Sequence, residues 1–488
     1  MSGTNHGGWE ALIGLEVHAE LKTKTKIFCS CPAQFGGAPN TNVCPVCLGM
    51  PGALPMLGEE PVIFAVRAGL ALNCTINRKS WFDRKNYYYP DLPKGYQITQ
   101  YERPICEGGG VPVTVDGRKY AIGLERIHLE EDAGKLIHRG DSTYADYNRS
   151  GVPLIEIVSL PVMHSSAEVK AYLTSLRRIL LGMGVSDCRM NEGSLRCDVN
   201  VSVRPVGSDE MGVKTEIKNL NSISYAGRAV DDEIARQIGV LESGGAVVPE
   251  TRRFNEDTGK TERMRLKETA VDYRYFTEPN IPPLVLSEDY IETIRGEMPK
   301  MPDERAEDFV RDYGMKPDDA YLLTSTPEIA GYFEACAAST AYKSAASSLF
   351  IGEVLPKLDE NAFAEYVDPV LFGEACTLFG EGKVVSGNAK RLIHMAAETR
   401  ESPVKLAEKE RMMKISDEAA LRPFVEKAVS ANPKAVADFK KGKTAAAKQI
   451  LGAVMRETGG AADPAAAEKL ILSHLTNLWF SVCKSEEQ

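Results

Sequence analysis

Hydrophobic and polar residues alternate along the segment from Leu12 to Leu21, which reads Leu-Ile-Gly-Leu-Glu-Val-His-Ala-Glu-Leu. This period of two predicts a β-strand whose apolar side chains all point to one face of a sheet. Glu16, His18 and Glu20 then share the opposite face. Carboxylate oxygens and neutral imidazole are both metal ligands, so this face is suited to a divalent cation. For one strand alone, a solvated sheet face is an equally good explanation.

Three further segments repeat this arrangement and favour a sheet that lines a charged cavity. Residues 126 to 135 read Arg-Ile-His-Leu-Glu-Glu-Asp-Ala-Gly-Lys, and residues 153 to 159 contain Glu156 inside an otherwise apolar, β-branched run. A carboxylate in such a run is strongly destabilising unless a cation or a hydrogen-bond donor compensates it. Residues 195 to 204 alternate apolar side chains with Arg, Asp, Asn and Ser, which predicts another strand with a polar face.

The character of the sequence changes near Pro283. Before this residue the pattern is strand-like and rich in turns, whereas helical patterns punctuated by prolines follow over 287–314 and 318–355. A last helical segment begins near Asp417, a candidate N-cap. We therefore expect an α+β protein with a large N-terminal mixed α/β cradle domain built on a mainly antiparallel sheet (1–292), a helical domain (293–412) and a small all-α tail domain (413–488).

Composition is that of an ordinary folded protein. The chain has 488 residues, more than one core usually holds, and 43% of them are hydrophobic and 26% charged. No apolar run has the length of a membrane span and the first residues are polar, so we expect a cytoplasmic protein without a membrane partner. The net charge of −10 argues against a surface that is basic throughout, although it is compatible with a local basic patch.

Two close pairs of cysteines, Cys29 with Cys31 and Cys44 with Cys47, form the clearest metal motif of the chain. Four thiolates in two pairs joined by a short loop are typical of a structural zinc site with no open coordination position. We therefore predict Zn²⁺ in a loop at residues 29–47. The alternatives are a redox pair at Cys44 and Cys47 or unpaired buried thiols, and neither accounts for the second pair nearby.

The region between residues 82 and 101 combines cations with tyrosines, prolines and glycines. Lys85 and Lys94 are suited to contacts with phosphates, and Tyr87 and Tyr89 to stacking on a base or a ribose. A surface loop pinned by its tyrosine rings is the simpler explanation of the pattern by itself. The chain has no Gly-x-x-x-x-Gly-Lys-Ser/Thr motif, so an ATP site in it would not be of the Walker type.

Seven short blocks follow one another along the chain: Ile13-Gly-Leu-Glu-Val-His18, Phe82-Asp-Arg-Lys-Asn-Tyr87, Tyr89-Pro-Asp-Leu-Pro-Lys94, Leu129-Glu-Glu-Asp-Ala-Gly-Lys135, Pro153-Leu-Ile-Glu-Ile157, Glu192-Gly-Ser-Leu-Arg-Cys-Asp198 and Lys218-Asn-Leu-Asn-Ser222. In content and order they resemble the signature blocks of a family, the B subunits of the tRNA-dependent amidotransferase, or GatB family. The segment from Asp417 to Val482 resembles the helical tail domain that this family shares with a small stand-alone protein.

The resemblance implies an ATP- and Mg²⁺-dependent ligase with glutamine as the amide donor, which converts Glu-tRNA(Gln) or Asp-tRNA(Asn) into the amide form. The side-chain carboxylate becomes an acyl phosphate, which ammonia then attacks. By the family pattern, His18, Glu131 and Glu156 are expected to bind Mg²⁺, with Glu16 beside them. The same pattern makes His18, Glu131 and Glu156 the expected catalytic residues.

Ammonia has to come from another chain, because this sequence lacks the Gly/Ser-rich block, with its serine nucleophile and lysine base, of a glutamine-hydrolysing amidase. The resemblance implies a separate amidase A subunit, a small C subunit that joins the two into a heterotrimer, and a tunnel for ammonia. Lys85 and Lys94 match lysines near that tunnel and its gate, so they are also expected catalytic residues. A non-discriminating aminoacyl-tRNA synthetase is a further expected partner.

The mischarged tRNA is the remaining partner that the resemblance implies. We expect Tyr87 and Tyr89 to contact it, and a lysine cluster of the tail to bind its body through phosphates. This cluster consists of Lys434, Lys440, Lys441, Lys443 and Lys448. A run of lysines is otherwise usually a solvated helix face.

A second hypothesis is that the chain is a non-catalytic, zinc-stabilised scaffold that binds tRNA in the same complex. The acidic strand faces argue against it, since a scaffold gains nothing from burying them together. An archaeal variant of the family carries an inserted domain, and the short link from Pro283 to Pro302 leaves no room for one. This favours the three-subunit bacterial or organellar type, and because the sequence shows no transit peptide we expect the bacterial one.

Overall fold

The computed structural model describes residues 6–266, 272–359, 363–441 and 443–485. It consists of two compact units, Met1–Pro302 and Asp303–Gln488. The first is built on a large sheet and the second is helical, so the expected α+β class is confirmed. The expected domain boundaries at 292/293 and 412/413 stay predictions.

Strands contribute most of the regular secondary structure of the first unit. In chain order they are β1 (Trp9–Glu20), β2 (Thr75–Ile76), β3 (Lys79–Ser80), β4 (Asp83–Asn86), β5 (Tyr96–Thr99), β6 (Cys106–Glu107), β7 (Gly110–Val115), β8 (Arg118–Glu131), β9 (Lys135–Arg139), β10 (Ser142–Asp146), β11 (Pro153–Ser159), β12 (Leu195–Pro205), β13 (Thr215–Lys218), β14 (Glu250–Asn255), β15 (Lys260–Leu266), β16 (Phe276–Thr277) and β17 (Leu284–Val285).

One large sheet dominates this unit. Among the described residues it has ten strands, in the order β15-β14-β13-β12-β1-β11-β8-β6-β2, with β7 paired to β8. Its neighbouring strands are antiparallel except for β13 and β14, which are parallel. The mainly antiparallel sheet expected from the sequence is therefore confirmed.

The helices of the first unit cover the apolar face of this sheet. They are α1 (Glu59–Ala71), α2 (Ser166–Gly182), α3 (Ile223–Glu242) and α4 (Glu288–Gly296). Leu15, Val17 and Ala19 of β1 are buried in the core that these helices share. Because successive side chains of a strand point to opposite faces, Glu16 and His18 lie on the other side, as the alternation predicts.

The helices from Pro302 onward are short and often begin at a proline. They are α5 (Pro302–Tyr313), α6 (Pro317–Leu323), α7 (Pro327–Ala338), α8 (Lys343–Leu349), α9 (Pro369–Gly380), α10 (Ser386–Thr399), α11 (Pro403–Lys409), α12 (Glu418–Ala431), α13 (Pro433–Lys440), α14 (Ala446–Glu457) and α15 (Pro464–Ser485), with a π-helical turn at Phe350–Val354 and a 3-10 turn at Leu355–Lys357. The helical patterns over 287–314 and 318–355 are thus each divided, because proline lacks the N–H that a helix interior needs.

Among its described residues, the second unit has two separate hydrophobic clusters. One extends from Phe309 to Met412 and the other from Leu421 to Leu475. The second cluster begins within α12, whose predicted N-cap Asp417 accepts a hydrogen bond from the backbone N–H of Ala420. None of the helices in the described ranges combines the length with the apolar composition that a bilayer crossing requires.

A buried ion pair attaches the segment around Glu278 to β4. The Nε and Nη2 atoms of Arg84 donate hydrogen bonds to the Glu278 carboxylate at 2.5 and 3.0 Å, and the backbone N–H of Asn280 donates a third at 2.9 Å. Burial by itself would raise the pKa of Glu278, but the hydrogen bonds from Arg84 and Asn280 hold it below its ordinary value. The folded state therefore favours the ionised carboxylate.

We expect Glu278→Ala to lower the free energy of unfolding by about 2–3 kcal/mol, because it leaves the half-buried guanidinium of Arg84 without its partner. Glu262→Ala is the matched control: its partner Arg253 is exposed, so the loss should be less than about 1 kcal/mol. Urea unfolding of the full chain measures both.

The difference in the free energy of unfolding between wild type and Glu278→Ala depends on pH. Since the folded pKa of Glu278 lies below the unfolded one, its contribution is complete above the unfolded pKa of about 4.3 and is lost as pH falls through the folded value. The difference in stability between wild type and Glu278→Ala should therefore shrink in acid. A difference that is independent of pH would contradict this assignment.

Candidate functional site

Four neighbouring strands bring charged side chains into one row across the polar face of the main sheet. His18 on β1 lies opposite Glu156 on β11 and Arg196 on β12, and Glu156 lies opposite His128 on β8. Directly opposite residues of antiparallel strands have Cβ atoms about 5 Å apart. The strand register therefore brings together ionisable groups from distant parts of the sequence.

Glu130, two residues after His128, completes this group. His18 Nε2 lies 3.4 Å from Glu156 Oε2 and 3.6 Å from Glu130 Oε1. His128 Nε2 lies 3.2 Å from Glu156 Oε2 and 3.8 Å from Glu130 Oε2. One ligand atom each of His18, Glu130 and Glu156 lies within 4.8 Å of the others, close enough to bind a single ion. We refer to these three residues as the first ligand group.

The ionisation of each residue in this row depends on its neighbours. Burial opposes the charged imidazole, but Glu156 and Glu130 outweigh it, raising the pKa of His18 and raising that of His128 to about 9. Burial also opposes the Glu156 carboxylate, yet His128 and His18 hold its pKa well below the ordinary value. The two buried carboxylates thus require nearby positive charge, which a divalent cation would supply through ligands that are already together.

The structure does not bring Glu131 to the first ligand group. Glu131 follows Glu130 on β8 and points to the opposite face, where Oε2 lies 2.5 Å from Lys94 Nζ and Oε1 accepts a 2.9 Å hydrogen bond from the Ile98 N–H. Glu130 instead lies beside His18, as the alternation with His128 along this strand requires. The expected grouping of Glu131 with His18 and Glu156 therefore differs from the observed one.

Glu16 belongs to a second ligand group with Asp198 on β12 and Glu216 on β13, again within 4.8 Å of one another. Burial, Glu156 and these two acids raise the pKa of Glu16. Lys218 forms a short hydrogen bond with Asp198 and lies 3.2 Å from Glu216, so its ammonium already balances part of this charge. The sequence indicated a polar face around Asp198 but nothing about Glu216, which reaches the group only through sheet pairing.

Lys85 on β4 faces the first ligand group inside a frame of tyrosines. Its Nζ lies 5.0 Å from the ring centroid of Tyr273 and 6.0 Å from that of Tyr87, and these two rings pack edge to face. Burial by itself would lower the pKa of Lys85, but Glu130, Tyr275 and Glu156 raise it above its ordinary value. Lys85 therefore stays an ammonium and adds to the positive charge near Glu130.

Two of the framing tyrosines were not expected from the sequence. Tyr273 is attached to the end of β4, where its carbonyl oxygen accepts a 3.0 Å hydrogen bond from the Asn86 N–H. Tyr275 stacks on Tyr101 with ring centroids 4.1 Å apart. Tyr89 lies in an exposed turn outside this frame, and its expected contact with tRNA stays a prediction.

The four predicted zinc ligands lie together. The Sγ atoms of Cys29, Cys31, Cys44 and Cys47 are within 4.8 Å of one another, and those of Cys44 and Cys47 are 3.9 Å apart. A tetrahedral ion with Zn–S distances of about 2.3 Å requires sulfur atoms about 3.8 Å apart, so this donor set fits zinc.

The surroundings of Cys47 favour the thiolate form of its side chain. Its Sγ accepts a 3.1 Å hydrogen bond from the backbone N–H of Cys44 and lies 3.6 Å from Nζ of Lys26, a lysine that is only 1% exposed. A hydrogen bond from Cys29, together with Cys44 and Lys26, lowers the pKa of Cys47 to about 4 despite burial. A thiolate is the form that binds metal.

The predicted lysine cluster lies around α13 and the start of α14. Lys434, Lys441, Lys443 and Lys448 are exposed, and Lys443 Nζ lies 3.2 Å from Asp438. The side chain of Lys440, also predicted, lies outside the described residues. Exposed ammonium groups are compatible with phosphate contacts and equally with a solvated helix face.

Comparison with known proteins identifies the family. The GatB/GatE catalytic domain matches residues 11–292, and the GatB domain matches residues 331–475. The chain belongs to the GatB family. The resemblance seen in the sequence blocks is thus confirmed, and the first ligand group, the second ligand group and the four cysteines all lie within the match to the catalytic domain.

Curated relatives of the GatB family match almost the whole chain. The B subunit of the aspartyl/glutamyl-tRNA(Asn/Gln) amidotransferase from Thermoanaerobacter pseudethanolicus is 48% identical over 472 residues, which cover 96% of this chain and 99% of the relative. Proteins with the same name from Carboxydothermus hydrogenoformans and Brevibacillus brevis are 47% and 45% identical, with coverage of 96% of this chain and 99% of each relative.

The cysteine site predicts a simple metal stoichiometry. We expect the purified chain to hold about one zinc ion and Cys44→Ser to hold almost none, because three thiolates bind zinc far more weakly than four. Cys336→Ala, which removes a buried thiol of the second unit, should keep the metal. Elemental analysis of dialysed protein measures all three. Wild-type protein without zinc would favour the redox or unpaired-thiol interpretation, and zinc retained by Cys44→Ser would exclude Cys44 as a necessary ligand.

Proposed function

We propose that this chain is the B subunit of a glutamine-dependent tRNA amidotransferase, acting on Glu-tRNA(Gln), Asp-tRNA(Asn) or both in the cytoplasm. The observation that carries the proposal is the first ligand group, one imidazole and two carboxylates, of which Glu130 is buried and His18 and Glu156 are partly buried. Its chemistry suits activation of a carboxylate by ATP. The names of relatives that are 45–48% identical over 96% of the chain support the same reaction.

Amidation of a carboxylate needs prior activation, because its oxygen is a poor leaving group. Transfer of the γ-phosphoryl group of ATP to that oxygen gives an acyl phosphate, and attack by ammonia on the acyl carbon then releases phosphate. A bound Mg²⁺ would neutralise charge on the phosphates and on the carboxylate, two anions that otherwise repel each other.

Within this reaction, His18, Glu130 and Glu156 are the residues that we propose to bind Mg²⁺. Glu16 would contribute through the second ligand group, where Lys218 balances part of the negative charge. Lys85, an ammonium facing Glu130, would attract and orient the anionic substrate groups. Each of these roles uses a carboxylate, imidazole or ammonium group that already lies at the polar face of the main sheet.

Glu131 and Lys94 would act in a different step. Their ion pair lies on the other face of β8, so we assign them to the path of ammonia and not to metal binding. The ammonia would come from an amidase A subunit, joined to this chain by a small C subunit. A non-discriminating synthetase would supply the mischarged tRNA. Tyr87 and Tyr89 of this chain would be among the residues that contact the tRNA.

The decisive experiment uses the purified chain with its A and C partners, both mischarged tRNAs, ATP, Mg²⁺ and free ammonium. We expect His18→Ala and Glu130→Gln to reduce ATP-dependent amidation at least about 100-fold, since even partners of metal ligands matter 10–100-fold. Binding of tRNA should be nearly unchanged. In Glu130→Gln, the Mg²⁺ concentration for half-maximal rate should rise.

Two variants of β8 serve as controls. Glu131→Gln should leave the Mg²⁺ requirement unchanged, because Glu131 does not face the first ligand group. Glu125→Gln removes an exposed carboxylate of the same strand and should behave as wild type. Full amidation by His18→Ala would contradict the site, and tRNA binding without ATP cleavage would favour the scaffold hypothesis.

The lysine cluster predicts an electrostatic contribution to tRNA affinity. Replacing Lys434 and Lys448 by glutamate should weaken tRNA binding and reduce the magnitude of the negative slope of log K against log salt by about 1 for each phosphate contact that is lost. Lys405→Glu, on α11, is the control for a general loss of positive charge. An unchanged salt slope in the double variant would identify these lysines as a solvated helix face.

A further inference from the structure

A small cavity joins the loop that carries the four cysteines, here called the cysteine loop (residues 29–52), to the ion pair of Lys94 and Glu131. Its volume is about 90 Å³, and its lining includes Cys47 and Gly49 on one side and Lys94 and Glu131 on the other. Lys26, which contacts the Cys47 thiolate, also lines it. The predicted zinc site and the end of strand β8 therefore line the same cavity.

The cysteine loop contacts Lys94 directly at Gly49. A Cβ atom on this glycine would lie 2.4 Å from Cγ, 3.1 Å from Cα and 3.2 Å from Cβ of Lys94. The backbone fixes Cα and Cβ, which cannot swing away as a lysine tip can, and Cγ can move only by a change of the χ1 rotamer of Lys94. The stem of Lys94 thus lies against the bare face of Gly49, and any larger residue would displace it.

The cysteine loop determines where Gly49 lies. Its N–H donates to the carbonyl of Val46 at 3.0 Å, and the neighbouring Leu48 N–H donates to the carbonyl of Cys44, also at 3.0 Å. The carbonyl of Cys47 accepts a hydrogen bond from the Ser150 hydroxyl at 3.4 Å. Gly49 is therefore attached to the turn that contains two of the four thiols.

The other end of Lys94 is set by Glu131. The side chains of this pair are only 11% and 3% exposed, and the N–H of Ile98 holds the second oxygen of Glu131 at 2.9 Å. Glu131 is thus fixed by β5 and β8, whereas Lys94 comes from a turn. Within the described part of the chain, the cysteine loop supports the root of the Lys94 side chain from the other side.

We propose that Gly49 is a positioning residue: through its bare face the cysteine loop holds Lys94 against Glu131. The cysteine loop is then more than a local fold stabiliser, since its geometry determines the ion pair of Lys94 and Glu131, on the face of β8 opposite the first ligand group. The geometric claim stands by itself, and only its consequence for ammonia use rests on the proposed function.

The test compares Gly49→Ala with Gly52→Ala in the full chain. Gly52 is the matched control, because it lies in the same loop, also has a positive φ of 80°, and has open space where a Cβ would be. The readout is the rate at which an amine-reactive acetylating reagent modifies Lys94, followed by peptide mass spectrometry. We expect this rate to rise severalfold in Gly49→Ala and to match wild type in Gly52→Ala.

A double-variant comparison covers the case in which Gly49→Ala disturbs the loop itself. Lys94→Ala removes the Cγ atom at 2.4 Å, so Gly49→Ala should lower the unfolding temperature less in a Lys94→Ala background than in wild type. The proposal would be overturned if Gly49→Ala lowered the unfolding temperature equally in both backgrounds. Equal Lys94 modification rates in the two glycine variants would also overturn it.

Activity separates this inference from the proposed function. We expect Gly49→Ala to lower glutamine- and ammonia-dependent amidation while zinc content and tRNA binding stay near wild type. If Lys94 modification rises but amidation is unchanged, the positioning role of Gly49 stands and the role assigned to Lys94 in ammonia use is wrong.

Discussion

Charge balance on a buried sheet face is the constraint from which the rest of this site follows. Glu130 and Glu156 lie where water has little access, so each needs a positive or hydrogen-bonding partner. His18 and His128 provide it across strands, and Lys85 adds a further positive charge. Removing any one partner leaves buried charge uncompensated, which explains why so many ionisable groups converge on a few strands.

Antiparallel pairing is what makes this balance possible. A shift of one residue in the register of β1 would turn His18 into the apolar core and Leu15 or Val17 onto the charged face. The helices α2 and α3 cover the apolar face and so hold the register in place. Packing of the core and assembly of the site are therefore the same event, although they use opposite faces of the sheet.

The two successive glutamates at the end of β8 lie on opposite faces of the sheet, so this strand contributes one carboxylate to each face. Glu130 belongs to the first ligand group, and Glu131 is held by Lys94 and Ile98 on the other side. The cysteine loop lies beside this second pair. Within the described residues, the segment between β1 and α1 forms no regular strand or helix, so it depends on side-chain interactions for its shape. Four thiols with the spacing of zinc ligands are suited to supply them.

Local features of the molecule could be predicted from the sequence because neighbouring residues determine them. The alternation around His18 predicted its strand and its polar face, cysteine spacing predicted the cluster at residues 29–47, and Asp417 predicted a helix start. The motif blocks likewise indicated the family. Each of these signals lies within a short stretch of chain, where period, cap and spacing are set by backbone geometry.

Contacts between distant segments were decided only by the tertiary structure. Adjacent residues of a strand face opposite sides, so the pair Glu130 and Glu131 offers one carboxylate to each face. The family pattern pointed to Glu131 as the partner of His18, whereas strand pairing places Glu130 beside it. Glu216 and Tyr273 reach the site from far along the chain, and no local pattern marks them. Long-range register and packing are properties of the whole fold, and they determine which of many polar side chains become one site.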